Sequence, residues 1–422
     1  NQQDLVAKIA LYQLETYLRK LERDRFAPLT AHLLYITFQE FSELLHNPRE
    51  GKKIVTELLN FLDQYSVTDE WCLYDQSVLL ITKIEEIAEK FDLKPKKAIK
   101  SLLEVIRRWK AGTTCVIPFQ ISLEEIFRPV GVTQVRELEP KIFSLWRLTE
   151  AAKKKALSKA HTVGVKTLYD IDPTLQYFEL LFSYLHDFSV RELKLPLLEA
   201  PIQLRVVYGE ESAVSDSVAY FLRQGDQRIV TIFLPPNPEA MTYLPEFAHL
   251  IIHEGVPGHA TADYLTSQLP TLKPLDYAAS LDTCAPFTYL DVSTIFHEGW
   301  AVLAQYITSK GLREVFPSIY DWWFYELSLY VSRVLQVMGL LKRNEKETIR
   351  SIRPYQLTSY FIGFLIFKAI YDQSPDKAIK ALLNASFPIP IDLYESDEWR
   401  KLISHSLDGL IKETKSFLSE ES

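Results

Sequence analysis

The seven residues from 253 to 259, His-Glu-Gly-Val-Pro-Gly-His, constrain the fold of this chain more than any other feature. An apolar run ends in His253 and Glu254, and a second histidine follows six positions later. On an unbroken helix this spacing turns the two side chains about 240° apart and separates them by ~9 Å along the axis. Pro257 has no N–H and would clash with the carbonyl of residue 253, and Gly258 adds backbone freedom. We therefore expect the helix to open there and to bring His259 back beside His253.

Two histidines brought together in this way indicate a metal site. Zinc prefers nitrogen and oxygen ligands in a roughly tetrahedral arrangement. The third ligand that we predict is Glu298, because Gly299, Ala301 and the apolar residues that follow suit a close-packed helix that docks on the helix of the first motif. Glu254 adjoins a ligand but points elsewhere, so it is the predicted general base for a zinc-bound water. The predicted cofactor is thus Zn2+, held by His253, His259 and Glu298.

Two other histidines compete for these positions. His249 lies four residues before His253, so the two would share one face of a regular helix, and His297 adjoins Glu298. Neither belongs to the stronger combined pattern. We expect packing or outer-shell roles for both of them.

Three motifs in the same order give the chain a resemblance to a known family. It resembles the bacterial domain-of-unknown-function 885 family, whose members look like zinc metallopeptidases of the gluzincin type. The motifs are His253-Glu254-x-x-Pro257-Gly258-His259, Glu298-Gly299-Trp300-Ala301, and Arg353 followed by Gln356-x-x-Ser359-Tyr360-x-x-Gly363. The resemblance covers roughly residues 200 to 410.

The third motif suggests two further catalytic residues. Tyr360 would hydrogen-bond the oxyanion as it forms, and Arg353 would hold a substrate carboxylate. The alternatives are that Tyr360 is a core residue and that Arg353 caps a helix. The chain also departs from its relatives, because many carry Asp-x-Gly-x-His where residues 337 to 341 here read Val-Met-Gly-Leu-Leu. This departure leaves the substrate class open and questions whether activity survives.

The residues thus favour a zinc-dependent hydrolase of amide or peptide bonds, acting on a peptide or small amide substrate. Two alternatives remain: a non-heme Fe(II) enzyme, which can also use two histidines and one carboxylate, and a non-catalytic, metal-stabilised binding protein. The net charge of −8 argues against a nucleic-acid partner. No apolar run approaches the ~20 residues of a membrane span. Oligomeric state stays open. For the compartment, a cytoplasmic protein is favoured, and an exported form stays compatible because the chain begins at Asn1 without a Met.

The fold that we predict is mainly α, with a small antiparallel sheet of about three strands ahead of the zinc-binding helix. Alternating or β-rich runs place these strands at 202–208, 218–222 and 228–234, with Gly225-Asp226 as a turn. Residues 1–195 form a predicted N-terminal helical region, and 196–422 the predicted metallohydrolase region. We expect the two regions to form one continuous body.

Overall fold

The computed structural model describes the chain in segments. They are residues 121–165, 172–195, 202–207, 219–224, 227–235, 237, 239–266, 292–341, 354–383, 389 and 392–420, with positions 7, 11, 56, 73–74, 104, 107–108, 111–112 and 116–117 before them. Most of the first 120 residues of the predicted N-terminal helical region therefore lie outside the described residues. The third motif is described from Pro354 onward, so Arg353 lies outside as well.

The described part of the chain is mainly helical, which confirms the predicted fold class. Its α-helices are α1 (Leu123–Phe127), α2 (Leu138–Lys159), α3 (Asp172–Arg191), α4 (Leu244–Glu254), α5 (His259–Thr266), α6 (Val292–Gly311), α7 (Pro317–Val337), α8 (Pro354–Gln373), α9 (Pro375–Leu383) and α10 (Asp397–Ser419). The strands are β1 (Leu73–Tyr74), β2 (Val116–Ile117), β3 (Thr162–Gly164), β4 (Ile202–Val207), β5 (Ala219–Gln224), β6 (Gln227–Phe233) and β7 (Met241–Tyr243). Short 3-10 turns cover Arg128–Val130 and Val135–Glu137.

The three-stranded sheet has the predicted strands but not the predicted direction. Its order is β4-β6-β5; β5 pairs antiparallel with β6, whereas β4 runs parallel to β6 with Ile202 opposite Arg228. The sheet is therefore mixed, and the prediction of a purely antiparallel sheet was wrong. Alternation along a strand reports which face each side chain occupies, but not the direction of its neighbour. The connection between strands decides that direction, because parallel neighbours need a crossover.

A second, two-stranded sheet fixes the start of the helix that ends in His253. Strands β3 and β7 pair antiparallel, with Thr162 opposite Tyr243. The N–H of Leu244, the first residue of α4, donates to the carbonyl of His161 at 3.1 Å. The end of α2 and the start of α4 are thus held together by backbone hydrogen bonds.

Helix α6 lies between two apolar clusters of buried side chains. The larger cluster joins α2, α7, α8 and α10 to one side of α6, including Leu145 of α2 and Trp300 of α6. The smaller cluster covers the mixed sheet and α4, and it includes Ala304 of α6. Glu298 therefore sits on a helix that is packed on both sides. Among the described helices, none is both long and apolar enough to cross a membrane.

Candidate metal centre

The break between α4 and α5 places the two histidines of the first motif side by side. Helix α4 ends at Glu254, and α5 begins at His259. Between them, the N–H of Gly258 donates to the carbonyl of Ile252 at 3.0 Å. A Cβ at Gly258 would overlap the carbonyl of His253, so only glycine permits this close return. The imidazole centroids of His253 and His259 are 4.8 Å apart, with the rings nearly perpendicular.

Glu298 completes a group of three donors. Its Oε2 atom lies 3.2 Å from Nε2 of His253 and 3.5 Å from Nε2 of His259. Donors on a tetrahedral zinc at 2.0–2.1 Å are about 3.3 Å apart, so these separations fit one small cation. The three ligand atoms all lie within 4.8 Å of one another. The structure thus brings together the three predicted ligands.

The remaining residues of the Glu-Gly-Trp-Ala motif hold Glu298 in position. A Cβ at Gly299 would overlap the backbone of Gly363, so α6 and α8 cross at a pair of glycines. The indole Nε1 of Trp300 donates to the carbonyl of Pro257 at 2.8 Å, which ties α6 to the loop between the two histidines. We predicted that Gly299 would suit docking on the first motif. In the structure it contacts α8, and Trp300 makes the contact with the loop.

Gln305 fixes the orientation of His253, and sequence reasoning missed it. Its Oε1 accepts from Nδ1 of His253 at 3.1 Å and from the hydroxyl of Tyr330 at 3.0 Å. Because Nδ1 donates to Gln305, Nε2 is the nitrogen of His253 that faces Glu298 and His259, and it would bind a metal ion in place of its proton. Gln305 follows Glu298 by seven residues on α6, which is two helical turns. That spacing was the available sequence signal.

His249 lies behind this group and does not join it. Its Nε2 donates to the carbonyl of Ile319 at 2.8 Å, and its Nδ1 accepts from Nε2 of Gln305 at 3.3 Å. Burial lowers the pKa of His249 to about 4, so it is neutral near pH 7. His297 is exposed and is not part of the group of three donors.

The pKa values of the group are those of a coupled imidazole and carboxylate. Burial alone would raise the pKa of Glu298, but hydrogen bonds and charge from His253 and His259 outweigh burial and hold it well below its usual range. Burial also opposes a charge on His253, yet Glu298, with help from Glu254 and Gln305, raises the pKa of His253 to about 9. Glu298 therefore stays anionic, which suits a site for a cation.

Glu254, the predicted base, lies beside the group and is partly buried. Burial raises the pKa of its carboxyl, while the charges of His253 and His259 oppose the rise. The carboxyl also accepts a hydrogen bond from the backbone N–H of Phe221 in β5. Glu254 is thus held between the donor group and the edge of the mixed sheet.

Tyr360 comes from α8 and meets the group, as the third motif suggested. Its ring stacks on that of His253, with centroids 5.9 Å apart, and on that of Tyr330 at 5.5 Å. Burial, followed by the negative charge of Glu298, raises its pKa well above 10, and its hydroxyl donates a hydrogen bond to Glu298. The hydroxyl is therefore neutral and lies at the donor group.

The segment that departs from the family pattern ends α7. Val337 is buried in the larger apolar cluster, and Leu341 packs against that cluster. Gly339 has a positive φ of 74°, and the N–H of Leu340 donates to the carbonyl of Leu335 at 2.9 Å. Val337 and Leu341, at the two ends of this segment, are thus packed against the apolar cluster, whereas Leu340 is exposed.

Comparison with known proteins adds little to this description. No family model matches the chain, and no curated protein matches it. A solved structure from Shewanella oneidensis, described as "a putative lipoprotein of unknown function", is similar with a TM-score of 0.46 and 15% sequence identity, over 86% of this chain and 72% of that chain. A likeness at this level assigns neither fold nor function.

Proposed function

We propose that this protein is a zinc-dependent hydrolase of amide or peptide bonds, related to the domain-of-unknown-function 885 family through its three motifs. The observation that carries the proposal is the convergence of His253, His259 and Glu298 at separations of 3.2 and 3.5 Å, which match donors on a tetrahedral zinc ion. Bound there, zinc would polarise a substrate carbonyl and lower the pKa of water.

Two side chains would carry out the proton transfer and the oxyanion stabilisation. Glu254 would take the proton from the attacking water and pass it to the leaving nitrogen, since burial brings its pKa closer to neutrality. The hydroxyl of Tyr360 stays protonated and can donate to the oxyanion as charge develops. Gln305 would keep His253 in the tautomer that a ligand needs.

An extended peptide suits the surroundings of Glu254. Within the described sheet, β5 pairs with β6 and forms one edge. The N–H of Phe221 on that strand donates to the carboxyl of Glu254. A peptide that pairs with such an edge strand would pass beside the base, which is a common mode of peptide recognition.

The two other functions fit fewer of these observations. A non-heme Fe(II) site would use the same three ligands, but it would give Glu254 and Tyr360 no evident task. A metal-stabilised binding protein would account for the apolar helix terminus at residues 337–341. It would not explain why the partly buried carboxyl of Glu254 is held beside the donors.

Metal analysis and a peptide panel test the proposal. We expect one zinc per chain and hydrolysis of at least some peptides. Glu254→Gln should keep the metal and the fold and lose about 10²–10⁴-fold in rate. Glu314→Gln, which changes an exposed carboxylate just beyond α6, is the matched control and should retain the rate. A Glu254→Gln variant with wild-type turnover, or a zinc-loaded protein that hydrolyses no peptide, would favour the binding protein; bound iron would favour the Fe(II) enzyme.

A further inference from the structure

Arg333 places a positive charge beside the donor group. It lies on α7 and is partly buried. Its guanidinium carbon is 5.6 Å from the ring centroid of Tyr360 and 5.8 Å from that of Tyr330. The ring of Tyr360 in turn stacks on His253 at 5.9 Å. The guanidinium of Arg333 is therefore one aromatic ring away from a predicted metal ligand.

The hydrogen-bonding capacity of this guanidinium is unused within the described part of the chain. Within the described residues, Arg333 lies over the two tyrosine rings and forms no hydrogen bond or ion pair, although its charge opposes the rise that burial causes in the pKa of Glu326. The nearby carboxyl of Glu326 instead accepts from the indole of Trp322 at 3.0 Å. An arginine has five N–H donors in a planar fork that matches a carboxylate. None of the Arg333 nitrogens is buried without a partner, so the fork is open to a ligand that enters from solvent.

We infer that Arg333 binds the terminal carboxylate of a short peptide, so that the site removes one or two residues from a free C-terminus. This inference rests on the proposed hydrolase function. It assigns to a residue of α7 the role that sequence reasoning gave to Arg353.

Distances set the length of the released piece. The guanidinium carbon of Arg333 is 5.6 Å from the centroid of the Tyr360 ring, which is 5.9 Å from the centroid of the His253 ring. The guanidinium carbon is therefore at most about 11.5 Å from the His253 ring. Each residue of an extended peptide spans ~3.3–3.6 Å. A bidentate arginine–carboxylate pair takes up roughly 4 Å of this reach. The roughly 7.5 Å that remain accommodate one or two extended residues and exclude a third.

The charges around the centre support an anionic group at this position. Glu254 and Glu298 are acidic, so neither can pair with a substrate carboxylate. The positive side chain beside them is Arg333. The guanidinium of Arg333 lies 5.6 Å from the ring centroid of Tyr360, and its positive charge opposes the rise in the pKa of Tyr360 that burial and Glu298 cause. A bidentate pair with arginine would also fix the peptide's direction.

Paired peptides test this inference. The substrates are N-acetyl-Ala-Ala-X with X as Ala, Phe, Lys or Glu, each as the free acid and as the C-terminal amide. The wild-type protein should prefer the acid in kcat/KM on the order of 10- to 100-fold, as expected for hydrogen bonds to a charged group. Arg333→Gln should bring the acid-to-amide ratio close to one, mainly through KM, and Arg333→Lys should keep part of the preference.

The matched control is Arg313→Gln. Arg313 also stacks on a tyrosine, with its guanidinium carbon 4.4 Å from the Tyr320 ring, but it lies beyond the far end of α6. This variant should keep the wild-type preference. Equal hydrolysis of acid and amide by the wild-type protein, or a preference that survives in Arg333→Gln, would overturn the inference.

Binding separates this inference from the hydrolase proposal. The zinc-loaded Glu254→Gln protein should bind the free acids more tightly than the amides by calorimetry, and the double variant with Arg333→Gln should not. If no peptide is hydrolysed but this difference is present, the hydrolase proposal fails and the carboxylate site stands. If acid and amide bind equally or not at all, the carboxylate site fails whatever the hydrolysis result.

Discussion

Gly363→Ala tests whether the crossing of α6 and α8 sets the position of the donor group. A Cβ at Gly363 would lie 2.7 Å from Cα and 2.9 Å from N of Gly299, and closer still to the carbonyl oxygen of Ile295. Carbon atoms in contact are normally about 3.5–4.0 Å apart. The atoms that obstruct the new methyl group belong to the backbone, so the two helices must separate by roughly 1 Å at this point.

This separation should affect both stability and metal binding. Overpacking a close contact typically costs about 1–3 kcal/mol. Glu298 directly precedes Gly299, and Tyr360 lies one turn before Gly363, so the movement reaches both side chains. Metal–ligand distances tolerate only about ±0.2 Å. We therefore expect zinc affinity to fall at least by the ~10- to 100-fold that is typical for the loss of an outer-shell partner.

Gly409→Ala in α10 is the matched control, because it makes the same change in a helix interior. A Cβ there would meet only the Nζ of Lys368, at 3.9 Å, which is an ordinary contact. The gain in helix propensity, about 0.5–1 kcal/mol, is common to both variants. The difference between them isolates the cost of the clash, and we expect about 1–3 kcal/mol in urea unfolding of the metal-free proteins. Chelator competition measures the zinc affinity. If Gly363→Ala matches Gly409→Ala in stability and the wild type in zinc affinity, the close crossing does not position the site.

Three further outcomes follow from the site. His259→Ala and Glu298→Ala should each lose the zinc found in the wild-type protein by metal analysis; full occupancy in both variants would rule out this ligand set. Tyr360→Phe should lower kcat by about 10²–10³-fold with unchanged zinc content and melting temperature, and an unchanged kcat would leave Tyr360 as a core residue. Burial, with a smaller effect from Glu326, raises the pKa of Glu246 from 4.5 to about 7. The neutral carboxyl of Glu246 therefore stabilises the fold fully below pH 4.5, and this stabilisation is lost as pH rises through about 7. Relative to the wild type, Glu246→Gln should therefore gain in melting temperature between pH 4.5 and 8, and a difference that does not vary with pH would contradict this.

The sequence by itself determined the local part of the site. Pro257 and Gly258 act within one turn of His253, so their effect on the helix follows from backbone sterics alone. The choice of Glu298 also came from the sequence, through a glycine and a small residue beside it that favour close packing. The positions of the strands followed from alternation, which is equally local.

Only the tertiary structure decided which distant side chains meet the donors. Gln305, Tyr330 and His249 form one hydrogen-bonded chain behind His253, although the first two lie more than 50 residues beyond it in sequence. Residue spacing fixes which face of a helix a side chain occupies, but not which neighbouring helix packs on that face. Alternation likewise fixes the face that each side chain of a strand occupies, but it does not fix the direction of the neighbouring strand, so the parallel pairing of β4 with β6 was undetermined. So was the position of Arg333, because its distance from the site depends on how α7 and α8 pack together.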